Sequence, residues 1–262
     1  MPELPDVAGF ARYLEKTVLH QTVSRTHVPD ERILSGVTRR QLAARLKHRQ
    51  LAATHRHGKY LLLELDDGAH LVLHFGMTGR LAAWRRDGAD PDDIKVLWDL
   101  EDGWHLAYTC QRLLGEVGYA RDRARFVSSQ SLGPDALDPD LTEDRFLALM
   151  EGRRGTTKGL LMNQSVIAGL GNVYSDEILF QAGIRPGRKV DRLSAQERRE
   201  LYRVLRRVLT TACERGDAVA DQPDSWLIHR RDEDQECPRC GGTLRADTVI
   251  GRTSYWCPSC QD

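Results

Sequence analysis

Apolar residues Val7, Phe10, Ala11, Leu14 and Val18 recur three and four positions apart. That is the spacing of one helix face, and it predicts an α-helix from Asp6 to about Leu19. Pro5 stands just ahead of it, where a missing N–H costs nothing. From about Thr22 to Val127 the period falls to two. Leu61–Leu65 and Leu71–His74 flank Asp66-Asp67-Gly68, and Val96–Leu100 and Trp104–Tyr108 flank Glu101-Asp102-Gly103. Both read as hairpins closed by Asp-Gly turns, and such a series of short strands predicts a β-sandwich. Residues 131–140 are polar with two prolines and mark a domain boundary. Helices follow over Leu141–Glu151, Thr157–Asn163 and Asn172–Ala182, the last stopped by Gly183 with Pro186 close behind. Ser194 and Glu197 form a capping box that opens a longer helix to about Gly216, with Leu201, Val204, Leu205, Val208, Leu209 and Ala212 on its core face. Thr248–Trp256 has strand composition interrupted by Gly251-Arg252. The class is α+β.

At 262 residues the chain has room for one large or two moderate domains, and no apolar run approaches a membrane span. Met1 is not followed by a signal sequence, so the expected location is cytoplasmic. The formal net charge is zero, with 38 basic and 38 acidic residues, which argues against a protein that simply coats nucleic acid. The charge is unevenly spread. Asp87, Asp90, Asp92, Asp93, Asp99, Glu101 and Asp102 are opposed only by Lys95, while Arg198, Arg199, Arg203, Arg206 and Arg207, and His229, Arg230 and Arg231, form basic clusters. A neutral chain so divided could still carry a basic groove.

Cys237, Cys240, Cys257 and Cys260 form two Cys-x-x-Cys pairs separated by 16 residues, leaving Cys110 and Cys213 alone. Paired knuckles without a secretion signal read as a closed, structural zinc site; two redox motifs are the alternative, without the βαβ setting they need. The stretch between the knuckles suffices for a β-hairpin that would hold Arg252 on a rigid tip. Arg252 is then either a solvated charge or a reader of phosphate or base. In Ile167-Ala168-Gly169-Leu170-Gly171-Asn172 two glycines turn the chain tightly before a helix, leaving its first amides to face an anion. No Walker lysine-serine pair follows, so a grip on a DNA backbone phosphate fits better than a nucleotide cradle, with Asn172 as a ligand or a plain N-cap. Lys59 alone reads as surface charge, and Met77 as core filler. At the terminus, Met1 precedes a small Pro2 and is removable, leaving a secondary amine of pKa near ~8 beside the Glu3 carboxylate. A nucleophile with its acid/base partner is one reading of this pair, and a frayed end the other.

In combination, PELPDV, HGKYLLLEL, HFGMTG, LGPDALDP, NQSVIAGLGNVYSDEILFQAGIRP and CPRC…YWCPSC resemble the formamidopyrimidine-DNA glycosylase / endonuclease VIII family, from Pro2 to the last knuckle. The resemblance implies a β-sandwich domain with a leading helix (1–130), a linker (131–140), a helix–two-turns–helix module (141–230) and a zinc finger (231–262) holding one structural Zn2+, with DNA in the cleft between domains. It implies Pro2 as nucleophile and Glu3 as acid/base residue. Lys59 would hold a phosphate beside the lesion, Asn172 and Arg252 would clamp phosphates on either side, and Lys158 belongs with the DNA contacts. Met77, Arg112 and Leu114 would fill the gap left by an extruded base. The implied activity is excision of oxidised or ring-opened bases from damaged, double-stranded DNA by a monomer, followed by strand cleavage.

The chain departs from the family pattern in places. Asp6 stands for the usual glutamate, and Cys110, Gln111 and Leu114 replace the aspartate, proline and aromatic of the 8-oxoguanine branch. The connection from Gly216 to Trp226 is shorter than that branch's lesion-capping loop. The finger looks more like the endonuclease VIII side and PELPDV more like the other, which leans the lesion preference towards oxidised pyrimidines and ring-opened bases. Two other classes remain: a non-catalytic damaged-DNA binder on the same fold, and a zinc-ribbon RNA-binding or scaffold protein, which leaves the terminus unexplained.

Overall fold

The computed structural model describes every residue except 86, 87 and 217. Asp87 of the acidic stretch and Asp217 of the connection after Gly216 thus lie outside the described residues. The chain divides into two compact units, one of residues 1–2 and 7–131, the other of residues 3–6 and 132–262.

The first unit is a two-sheet sandwich. Its elements run α1 (Leu4–Thr17), β1 (Val23–His27), β2 (Leu34–Ser35), α2 (Arg39–Leu46), β3 (Leu51–His57), β4 (Tyr60–Leu65), β5 (His70–His74), β6 (Arg80–Arg85), β7 (Ile94–Leu100), β8 (Trp104–Thr109), β9 (Glu116–Ala120) and α3 (Arg123–Ser129). One sheet has the order β1-β7-β8-β6, the other β2-β9-β5-β4-β3. Both expected hairpins form, as β4–β5 with Glu64 opposite His70 and as β7–β8. Leu61, Leu63, Leu65, Leu71 and Leu73 alternate inward onto Trp98, Leu106 and Tyr108 of the facing sheet, and Val7, Phe10 and Leu14 of α1 join the same core.

Two details differ from the sequence pattern. The first helix begins at Leu4 rather than Asp6, because Asp6 in its first turn accepts a hydrogen bond from the Glu3 amide (2.7 Å) and Pro5 tolerates an early helical position. The stretch expected to be all strand also contains α2, opened by a reciprocal capping box between Thr38 and Gln41.

The second unit contains α4 (Glu143–Met150), α5 (Thr157–Met162), α6 (Asn172–Ala182), α7 (Ala195–Arg215) and the hairpin β10 (Arg245–Val249)–β11 (Arg252–Trp256). Its core joins Phe146 and Met150 of α4, Leu161 of α5 and Ile178 and Leu179 of α6 to the buried stripe of α7. Gly183 ends α6 in the left-handed conformation and Ser194 caps α7, as their positions predict. A smaller cluster of Leu244, Cys237 and Cys257 packs on Phe180 of α6 and Leu227, seating the finger. No helix among the described residues is long and apolar enough to cross a membrane.

Candidate active site

Residues 3–6 dock into the glycine turn ahead of α6. Leu4 N donates to the Gly169 carbonyl (3.0 Å). The Glu3 carboxylate takes the first amides of α6: Oε2 accepts from Gly171 N (2.6 Å) and Tyr174 N (3.2 Å), and Oε1 accepts from Val173 N (2.8 Å). A helix N-terminus holds unsatisfied N–H groups that suit an anion, and here the anion is the chain's own Glu3. This corrects the expectation that the Gly-Leu-Gly-Asn amides are open to a phosphate. The glycines are needed for the fit. A Cβ at Gly171 would stand 2.5 Å from Glu3 Cδ, and one at Gly169, where φ is +118°, would stand 2.7 Å from Leu4 Cδ1. Gln164 holds the turn from behind, accepting from Gly169 N (3.0 Å) and donating to the Leu170 carbonyl (2.7 Å).

Glu3 is 2% exposed, and Oε1 accepts one backbone hydrogen bond where Oε2 accepts two. An oxygen with two lone pairs can therefore take one further partner at Oε1. Asp6 holds the Glu3 amide from the other side, half of a capping box across the first turn of α1. The aspartate that departs from the family pattern thus fixes the peptide joining Pro2 to Glu3. Pro2 itself is half-buried and Met1 exposed.

Asn172 is the first residue of α6 rather than its cap, which is Gly171 with no side-chain bond. Asn172 Nδ2 donates to the Thr253 carbonyl of β11 (3.0 Å), while its Oδ1 is buried without a hydrogen-bond partner. Next to Thr253, Arg252 is exposed at the start of β11, paired in register with Val249 across the hairpin end. Lys158, expected among the DNA contacts, is fully buried on α5. Its Nζ donates to Asp176 Oδ1 (2.7 Å) and Ser254 Oγ (2.5 Å). Asp176 Oδ2 accepts from Arg231 Nη1 (2.5 Å) and Tyr255 N (3.2 Å). Burial pushes the Lys158 ammonium below its ordinary pKa, against the pull of Asp176. This network joins α5, α6 and β11 into one frame under Asn172 and Arg252. Nothing in the sequence pattern paired Arg231 of the basic cluster with Asp176, because 55 positions separate them.

In the first unit, Lys59 follows Gly58 (φ +56°) at the β3–β4 turn and is largely buried. Its charge lies close enough to help burial lower the pKa of His74. Met77, expected as core filler, is 39% exposed, and Leu114 52%. Their loops are locked together. A Cβ at Gly76 would fall 2.2 Å from the Leu114 carbonyl oxygen, and Arg112 N donates to Thr78 Oγ1 (3.1 Å). Met77, exposed Arg112 and Leu114 thus project from two abutting loops, over a buried Cys110.

The four finger cysteines form no disulfide, and one sulfur from each lies within 4.8 Å of the others. Cys237 Sγ–Cys260 Sγ is 3.9 Å and Cys240 Sγ–Cys257 Sγ 3.5 Å. Tetrahedral Zn–S bonds of about 2.3 Å place sulfurs about 3.8 Å apart, so the set fits one structural zinc ion.

Family models match three segments: the formamidopyrimidine-DNA glycosylase N-terminal domain over residues 1–117, its H2TH domain over 132–223, and the zinc finger found in FPG and IleRS over 234–262. The formamidopyrimidine-DNA glycosylase of a Nocardioides species is 34% identical over 280 residues, covering 100% of this chain and 94% of its own. That of Stutzerimonas stutzeri is 34% identical over 275 residues and covers all of both chains. Among solved structures, Lactococcus lactis Fpg (MutM) in complex with N7-benzyl-Fapy-dG DNA matches with a TM-score of 0.89, 25% identity and 99% of each chain covered. MutM in complex with carbocyclic 8-oxo-G DNA matches with a TM-score of 0.90, 25% identity and full coverage of both. The chain belongs to the formamidopyrimidine-DNA glycosylase family.

Proposed function

We propose that this protein is a base-excision repair DNA glycosylase with AP-lyase activity, and that its nucleophile is the Pro2 amine freed by removal of Met1. The observation that carries the assignment is the clamp on residues 3–6: three backbone N–H groups on Glu3, and Asp6 on the Glu3 amide. A catalytic N-terminus must be held still, and a terminus with no such task has no use for a buried carboxylate there.

The Pro2 nitrogen attacks C1′ of the damaged nucleotide with its lone pair. The bond from C1′ to the base breaks, and the base leaves with that bond's electron pair and takes a proton from solvent. The Glu3 carboxylate takes the proton released by the attacking amine and passes it to the sugar ring oxygen, the C1′–O bond opens, and the nitrogen's electrons form the iminium. The iminium acidifies the C2′ hydrogen; its loss expels the 3′ oxygen, and a second elimination expels the 5′ oxygen. In this scheme Oε1 of Glu3, with its spare lone pair, faces the sugar.

Lys59, Asn172 and Arg252 bind backbone phosphates. Lys158 contributes through Asp176 and Ser254 by fixing the frame that carries Asn172 and Arg252, and not as a surface cation. Met77, Arg112 and Leu114 occupy the gap left by the flipped nucleotide. A few placed cations let a neutral chain bind DNA, with an affinity that falls as salt rises. The functional division is catalytic segment 1–130, linker 131–140, helix–two-turns–helix segment 141–230 and finger 231–262. The protein works as a cytoplasmic monomer on double-stranded DNA. Ring-opened purines lead its substrates, in keeping with the names of its relatives, and the Cys110–Leu114 loop sets how far oxidised pyrimidines are accepted. A panel of formamidopyrimidine, 8-oxoguanine and thymine glycol duplexes tests this. Excision of none of them by the trimmed protein would overturn the assignment.

A further inference from the structure

Among the described residues, a second group besides the finger cysteines places metal-binding atoms together: His55, Glu64 and His70, with one ligand atom from each within 4.8 Å of the others. They come from three adjacent strands of the first unit. Glu64 of β4 pairs directly with His70 of β5 and with Ala53 of β3. His55, two residues beyond Ala53, therefore falls on the same sheet face, diagonal to Glu64. This is the outer face, shared with Leu62, Val72 and Ala120, and opposite the one on which Leu61, Leu63 and Leu65 enter the sandwich core.

We propose that His55, Glu64 and His70 bind a divalent transition-metal ion of the zinc type. Two imidazoles and a carboxylate are a zinc-type donor set, leaving a fourth position for water. The bland alternative is an ion pair between His55 Nε2 and Glu64 Oε2 (2.6 Å) beside an unrelated histidine. Two features of His70 go beyond it. The residue is 6% exposed, and its Nδ1 is buried without a hydrogen-bond partner, an arrangement that is costly when nothing offsets it. A buried imidazole nitrogen without a partner is a ready metal ligand.

Tetrahedral coordination at about 2.0–2.1 Å needs ligand atoms about 3.3 Å apart. The His55–Glu64 pair must open and His70 draw nearer, by rotations that the partly exposed His55 and Glu64 side chains can make. A bound ion would tie β3 and β4, the strands on either side of the Gly58-Lys59 turn, to β5.

The test uses the full chain without a polyhistidine tag, carrying its finger zinc. It is equilibrated with zinc chloride and desalted, then assayed for metal content and for melting of the N-terminal unit. The expected result is a zinc ion retained beyond that of the finger, with a zinc-dependent rise in melting temperature. His70→Gln and His55→Gln should each lose both effects. Glu64→Gln, which keeps a partner for His55, should lose most of the retention. Should His70→Gln fail to fold, His55→Gln at its half-exposed position decides. A wild-type chain that retains only the finger ion, or variants that retain as much zinc as the wild type, would overturn the proposal.

Discussion

At the scale of single residues, the account turns on how tightly Glu3 is seated. Gly171 caps α6 at φ −128°, a conformation open to alanine, so the backbone does not require glycine. The side-chain space does, since a Cβ would meet Glu3 Cδ at 2.5 Å. Gly171→Ala should therefore leave the fold intact while displacing the carboxylate. Misplacement by about 1 Å can cost about 10²-fold, and base-excision rate on a lesion duplex should fall by about that factor with circular dichroism unchanged. A rate within twofold of wild type would mean that Glu3 tolerates movement. Asp6 makes a gentler prediction. Asp6→Ala removes the acceptor for Glu3 N and should lower stability by about 1 kcal/mol, and Asp6→Asn, which keeps an acceptor oxygen, should recover most of it in urea unfolding. The role of Asp6 was the least legible point in the sequence. In the sequence it stands only as a carboxylate one methylene shorter than the usual glutamate, and that shorter side chain reaches the Glu3 amide at 2.7 Å.

Among the elements, α6 seats Glu3 at its N-terminus and carries Glu177, a buried carboxylate outside that clamp. Glu177 accepts from Ile228 N and Gln181 Nε2 (both 2.8 Å), and burial pushes its pKa up to about 7. A carboxyl whose folded pKa is raised binds its proton more tightly in the folded state. Its contribution to stability is complete below the unfolded pKa near 4.5 and declines as pH rises to about 7. The stability difference between wild type and Glu177→Gln should therefore shift against the wild type between pH 4.5 and 7, by on the order of 3 kcal/mol, as read from denaturant midpoints. A pH-independent difference would place the Glu177 pKa near its ordinary value.

The elements also show what local sequence can and cannot convey. The Asp-Gly hairpins, the Ser194–Glu197 box and the Gly183 stop are each written within a few residues, and all appear where their signals lie. The glycine turn before α6 was legible as an anion seat, but its occupant lies 168 positions away. No local pattern reports that separation. The burial of Lys158 has the same origin, since its partners Asp176 and Ser254 are 18 and 96 positions off.

For the whole molecule, the two units rest on separate cores, and the finger zinc belongs to only one. Chelation should release the knuckles and, through β11, loosen the Asn172–Thr253 and Lys158–Ser254 bonds. DNA affinity should then drop sharply while the sandwich keeps its near-ultraviolet signal from Trp98 and Tyr108, because metal binding supplies folding energy locally. Loss of that signal on chelation would mean that the units fold as one.

The claim on which everything else depends is that the Pro2 amine, once Met1 is gone, is the nucleophile. The direct measurement is borohydride trapping on a duplex bearing an abasic site, with the fully trimmed chain compared against one that retains Met1 or an N-terminal extension. The expected result is a covalent protein–DNA adduct whose DNA-linked peptide begins at Pro2, strong with the trimmed chain and absent from the extended one. Equal trapping by both, or an adduct mapped to a lysine, would contradict it.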